Sequence, residues 1–149
     1  MTLQILHASS EHAQQLAPLF DSYRAFFTGK SDIEESYAFL KERFAHQDSV
    51  VFVALNDGIM CGFAQIYPLL SSWYARRIWF LSDLYVEPEA RGHGTASRLI
   101  ERVKAHAAQT KSASVLVELP KAEPHLYRFY EHLGFHQDTV FDIARYELK

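Results

Sequence analysis

Apolar residues recur along this chain in two rhythms, one near 3.6 residues and one of two, and each change of rhythm marks an element. Residues 3–8 read as a first strand. Ser9, Ser10 and Glu11 are capping residues for a helix running to about residue 27, with Leu16, Leu19, Phe20 and Tyr23 on one face and Gly29 at its end. Ser31 and Asp32 open a second helix over about 33–44, with Tyr37, Leu40 and Phe44 turned inward. A β-branched run over 49–55 meets Asn56-Asp57-Gly58, a hairpin signal, and a returning strand over 59–68. Residues 69–75 read as a loop, and 76–86 as a long strand ended by Pro88. Arg91-Gly92-His93-Gly94 leads into a helix to about residue 110, striped by Ala96, Leu99, Ile100, Val103 and Ala107. A strand over 114–119 follows, then a short helix from Pro124 to about Leu133, stopped by Gly134. Residues 135–138 and 141–148 read as a closing strand pair.

The predicted order is β-α-α-β-β-β-α-β-α-β-β. Its early strands form hairpins, and strand–helix–strand over 76–119 implies one parallel crossover, so the sheet is mixed. The length, 149 residues, suits one domain spanning 1–149. A net charge of −3 gives no general attraction to nucleic acid, so none is expected as a partner. No apolar run is long enough for a bilayer, and residues 1–8 lack the pattern of a signal peptide, so the expected location is cytoplasmic, with no membrane partner. The single cysteine, Cys61, rules out an internal disulfide and reads as a small buried hydrophobe.

Candidate chemistry concentrates where the long strand runs into the third helix, Val86-Glu87-Pro88-Glu89-Ala90-Arg91-Gly92-His93-Gly94-Thr95-Ala96. Glycines let a backbone approach a ligand, and the first amides of a helix have no partners within it. Together with the positive helix end they form an anion site suited to a pyrophosphate, with Arg91 adding charge at its rim. A Walker loop needs Gly-Lys before Ser or Thr, which is absent. A dinucleotide fingerprint needs a third Gly or Ala where Ser97 stands, after a first strand rather than a fourth.

The segment resembles the pyrophosphate loop of the GNAT superfamily of N-acetyltransferases: Arg or Gln, two residues, Gly, one residue, then Gly or Ala, filled by Arg91, Gly94 and Ala96. A second signature, Leu126-Tyr127-Arg128-Phe129-Tyr130-Glu131-His132-Leu133-Gly134-Phe135, is similar to the family's helix with Tyr, three residues, then Gly-Phe. The resemblance spans essentially the whole chain. It implies an α+β fold: a mixed, mostly antiparallel sheet of about seven strands with four helices, the fourth and fifth strands parallel and splayed. It also implies acetyl-coenzyme A as donor, with its arm against backbone groups of Leu84, Tyr85 and Val86, a form of β-augmentation. Its pyrophosphate would lie on the amides of Gly92, His93, Gly94, Thr95, Ala96 and Ser97. The chain departs from the family at Glu123, where Asn is frequent seven residues before the helix Tyr. Members often dimerise, so the resemblance also allows a homodimer.

The implied reaction sets requirements of its own. An alkyl ammonium of pKa about 10.4 is neutral in roughly one molecule in 2,500 at pH 7, so deprotonation costs roughly 4.6 kcal/mol unless the site supplies a base. Asp83, in an apolar strand beside the expected splay, is an expensive carboxylate to leave idle, and Glu118 stands similarly in the fifth strand. Either can accept the proton through water or hold the ammonium, and either also suits a structural hydrogen bond. The departing thiolate gains from a proton donor, and the resemblance gives that place to Tyr130, while Tyr127 reads as packing. Tyr23, Phe26, Phe27 and Trp73 are candidate walls for the acceptor, or ordinary packing residues. No metal is expected. His132 and His136 are four apart, but Gly134 breaks the helix between them.

The reading is therefore an N-acetyltransferase acting on a primary amine of a small molecule by direct attack in a ternary complex. The run Leu81-Ser82-Asp83-Leu84-Tyr85-Val86 looks most like the polyamine- and histone-type branch, whose acceptors are polyamines, amino acids or lysine-like amines. The alternatives are a non-catalytic acyl-coenzyme A-binding module and an enzyme acting on a protein amine.

Overall fold

The computed structural model describes residues 2–148. Two compact units divide the chain, Met1–Glu118 and Leu119–Lys149. The larger one carries β1 (Leu3–His7), α1 (Ala13–Thr28), α2 (Ile33–His46), β2 (Val50–Asn56), β3 (Ile59–Ser71), β4 (Arg76–Val86), α3 (Thr95–Gln109) and β5 (Val115–Val117). The smaller carries α4 (Pro124–His132). Short 3-10 turns at Ser10–His12 and Pro88–Ala90 lead into α1 and follow β4.

The five strands lie in sequence order, antiparallel from β1 to β4, with β5 parallel to β4. Asp57 and Gly58, both in the left-handed region, make the two-residue turn that the Asn-Asp-Gly signal called for. Period-two alternation sends Val51, Val53 and Phe63 to one face, where α1 and α2 cover them with Leu16, Leu19, Phe20 and Leu40. Phe52 and Trp79 go to the other face, against His106 of α3. Leu99, Ile100 and Val103 of α3 are fully buried, and burial of side chains this size contributes about 1.5–3 kcal/mol each.

Helix α3 also seals an edge. The outer carbonyls of β1 accept from Arg98, whose Nη1 is 3.1 Å from the Leu3 oxygen, and from Arg102, at 3.5 Å from that of Ile5. The hinge between α1 and α2 is fixed by buried Asp21. Its carboxylate accepts from the Ser31 hydroxyl at 2.6 Å, the Asp32 amide at 2.8 Å and the Ser36 hydroxyl at 2.9 Å. The Ser31 bond leads in holding this carboxyl below the usual carboxylate range, against the opposing effect of burial.

Two expectations need correction. Strand β3 does not stop at Pro68 but runs on to Ser71, shrinking the expected 69–75 loop to a turn. Pro68 is tolerated because β2 pairing ends at Val50–Ile66, leaving β3 an edge strand on that side. The sheet has five strands among the described residues rather than about seven. Residues 135–138 and 141–148, expected as a closing strand pair, form no ladder, and a strand exists only by pairing. Phe141, Ile143, Tyr146 and Leu148 are exposed there. The expected parallel pairing of β4 and β5 is present. They pair only over Trp79–Val115 to Leu81–Val117, and β4 continues to Val86 with no β5 partner.

Candidate active site

Beyond that fork, β4 delivers Leu84, Tyr85 and Val86 to the loop. Its end is anchored twice: the Glu87 amide donates to the Cys61 oxygen at 2.8 Å, and Arg91 Nε donates to the Val86 oxygen at 2.8 Å. The second bond holds the Arg91 guanidinium over the Tyr85 ring, 5.7 Å from its centroid. Gly92 and Gly94 have φ of 83° and 77°, which side-chain-bearing residues rarely adopt, and open space lies where their Cβ atoms would be. Gly94 is the N-cap of α3. No side chain caps the helix and no acidic residue sits in its first turn, so the amides of Thr95, Ala96 and Ser97 and the positive helix end are left for an external anion. Thr95 is buried and His93 exposed. The ten residues expected to hold the donor are thus contiguous around one strand end and one helix start.

Asp83 sits at an irregularity. The register passes from Gln65–Asp83 to Ile66–Leu81, leaving Ser82 unmatched, a β-bulge that re-aims the side chains after it. The Ser82 carbonyl accepts from the Tyr23 hydroxyl at 3.3 Å. Asp83 Oδ2 accepts from Gln65 Nε2 at 3.0 Å, and Gln65 Oε1 accepts from the Ser49 hydroxyl at 2.9 Å. Burial pushes the Asp83 carboxyl above the usual carboxylate range, with hydrogen bonds from Gln65, Tyr23 and Ser82 opposing it. Burial, with the Asp83 charge second, also raises the nearby Tyr67 hydroxyl. Glu118, the other candidate, is exposed and lies one residue past β5 rather than inside it.

Edge-to-face rings continue from Tyr23 to Phe27 at 5.1 Å and from Phe27 to Phe26 at 5.2 Å, both phenylalanines being exposed at the end of α1. Trp73 is exposed in the β3–β4 turn. In the smaller unit, Tyr130 is buried between Phe129 and Phe135, and burial raises its hydroxyl to about 12. Tyr127 donates to the Leu119 oxygen at 3.4 Å, and Glu123 is the N-cap of α4. No metal-binding group of His, Cys, Asp or Glu occurs among the described residues.

Residues 47–137 match the family described as the acetyltransferase (GNAT) domain. The chain belongs to the GNAT acetyltransferases. It is 35% identical over 139 residues to the uncharacterized N-acetyltransferase YhfO of Bacillus subtilis (strain 168), covering 93% of each chain. A crystal structure of a probable acetyltransferase shares 35% identity and superposes with a TM-score of 0.91 over 98% of this chain and 99% of the other. A thialysine N-epsilon-acetyltransferase of Sus scrofa is 42% identical over 55 residues, 37% of this chain and 31% of that one.

As a GNAT N-acetyltransferase, the enzyme takes its acetyl group from acetyl-coenzyme A. The uncapped start of α3 fits the diphosphate of that donor, since amides and a helix dipole are what a diphosphate requires. No described helix of this acetyltransferase is long and apolar enough to cross a membrane. Three residues escape a reading of sequence motifs: Ser49 and Gln65 beside the bulge, and Gly62 opposite Val86. Gln65 leaves a trace as an amide inside the largely apolar run from Met60 to Ile66, and Gly62 a fainter one as a glycine in the same run.

Proposed function

We propose that this acetyltransferase transfers acetyl from acetyl-coenzyme A to the primary amine of a small, lysine-like or polyamine molecule, by direct attack in a ternary complex in the cytoplasm. The observation that carries the reading is Asp83: a half-buried carboxylate at the β4 bulge, beside Tyr23 and a run of aromatic rings, on the strand that leads to the uncapped end of α3. Bound acetyl-coenzyme A supplies the thioester. Asp83 attracts the acceptor ammonium and takes its proton, directly or through one water. A carboxyl raised by burial is a better base than an exposed one. Tyr23, Phe27 and Phe26 offer ring faces to an alkyl ammonium on its way in. Glu118, exposed past β5, is the weaker candidate for base.

Tyr130 is proposed as the proton donor to the departing thiol. At about 12 its hydroxyl stays protonated across the working pH range. Complete transfer to a thiolate of pKa about 8.5 is roughly 5 kcal/mol uphill, so its role is a hydrogen bond that strengthens as charge develops on sulfur. The lysine-like acceptor is supported by the matched segment of the thialysine enzyme.

The test is thiol release from acetyl-coenzyme A with polyamines, lysine-like amines, amino acids and aminoglycosides, alongside calorimetric donor binding. Turnover with a primary amine, and loss of at least about 100-fold in kcat/KM in Asp83→Asn at unchanged donor affinity, is the expected result. An Asp83→Asn enzyme within threefold of the parent overturns the base assignment.

A further inference from the structure

Gln65 is 1% exposed in the middle of β3, among Phe63, Ala64 and Ile66, where an apolar residue would cost nothing. A buried amide costs about 1–3 kcal/mol unless its hydrogen bonds are made. Both ends of this one are engaged, and the two bonds are not equivalent. The Asp83 carboxylate can only accept, which dictates that Nε2 faces it, and the Ser49 hydroxyl then donates to the Oε1 left on the other side. Turned the other way, the amide would set its oxygen 3.0 Å from a carboxylate oxygen, acceptor against acceptor. The cross-strand register Gln65–Asp83 places the pair directly opposite each other, one step before the bulge at Ser82.

We propose that Gln65, with its amide anchored by Ser49, is a positioning residue for the acetyl transfer: it fixes Asp83 Oδ2, leaving the remaining lone pairs of the carboxylate for the amine proton. The inference rests on the reading of Asp83 as the base. A donated N–H also favours the ionised carboxylate, working against burial. The other titratable groups around Asp83 are Tyr23 from α1 and Tyr67 from β3. Arg43 of α2 and Asp48, paired at 2.9 Å, act on Tyr67 from beyond it.

The experiment compares Gln65→Leu, Ser49→Ala and Ser49→Thr with the parent by two readouts. One is the carboxyl titration of Asp83 followed by carbon NMR in the donor-free protein, and the other is the pH profile of kcat/KM. Gln65→Leu should move the Asp83 titration, and with it the acidic limb of kcat/KM, about one pH unit upward. It should lower kcat about tenfold while leaving the KM for acetyl-coenzyme A unchanged. Ser49→Ala should shift both readouts the same way by less, and Ser49→Thr, which keeps the hydroxyl, should restore them. An unmoved Asp83 titration in folded Gln65→Leu overturns the inference. Should that variant not fold, Ser49→Ala decides alone, since it removes one hydroxyl outside the apolar core. If Asp83→Asn is fully active, the base reading fails and this inference falls with it. If Asp83→Asn is inactive while the Gln65 and Ser49 variants titrate and turn over like the parent, only the inference falls.

Discussion

Replacing Gly62 by alanine tests whether the close approach of β3 to the end of β4 sets up the donor site. The new methyl would lie 2.8 Å from the Tyr85 carbonyl oxygen and 3.2 Å from Val86 Cγ2. Ordinary contact begins at 3.4 Å, so the strands must part by about 0.6 Å, and the first obstacle is backbone that no rotamer change can move aside. Overpacking of this kind costs about 1–3 kcal/mol. At about 2–4 °C per kcal/mol for a chain of this size, the unfolding midpoint should fall by roughly 2–12 °C. The displaced atoms belong to Tyr85 and Val86, whose carbonyl oxygen holds Arg91 Nε, so the loop shifts with the strand. Acetyl-coenzyme A affinity should drop about tenfold by calorimetry, given what sub-ångström misplacement costs at a binding site. Gly58→Ala is the control. Its φ of 84° makes the variant strained, but it sits in the β2–β3 turn, away from the loop, so it should lose stability and keep donor affinity. Parent-like donor affinity in Gly62→Ala, with its midpoint lowered as expected, would refute the link between this contact and the site.

Three further outcomes follow from the same geometry. Asp21→Ala strips three bonds from the α1–α2 hinge and should cost about 2–4 kcal/mol, read by urea unfolding. Because the folded Asp21 carboxyl titrates below its unfolded value near 3.9, its contribution is present above that pH and fades as pH falls through the lower folded value; Asp21→Asn should flatten that acid limb. His7 and His106 are lowered chiefly by burial, with Arg102 adding to both, so the unfolded chain binds more protons just below 6.5. Stability should fall as pH drops from 7 through the lowered folded values, and His106→Phe should reduce the fall. Gly94→Val forces a branched side chain into φ of 77° at the helix start, and should abolish measurable donor binding while the secondary structure seen by circular dichroism persists.

Local signals carried the first nine elements because each was written in a few adjacent residues. The Asn-Asp-Gly turn, the Asp32 cap whose side chain accepts from the Glu35 amide at 3.1 Å, and the glycines before α3 need no distant partner to be read. What depended on pairing was not legible. The mixed apolar and polar run over 141–148 is of the same kind as that of β1, Leu3-Gln4-Ile5, and only a neighbouring edge could have told them apart. Asp83 and Glu118 look alike in sequence, each an acid after apolar residues. They part because the β5 ladder stops at Val117, whereas β4 continues through Asp83 to Val86. Gly62 carried the faint signal of a glycine within a strand, which marks close backbone approach without saying to what. Ser49 carried none, because its role exists only once Gln65 and Asp83 face each other across strands.

The two arginines that α3 lays over β1 have a consequence for the order in which the protein is made. Leu3 and Ile5 leave the ribosome before the arginines that cover them, and Arg98 and Arg102 follow 95 and 97 positions later. With synthesis at about 5–20 residues per second, the outer side of the first strand waits roughly 5–20 seconds for its cover. During that interval the nascent chain presents an open β edge, and any chaperone that guards it should act before α3 emerges and be released once it docks.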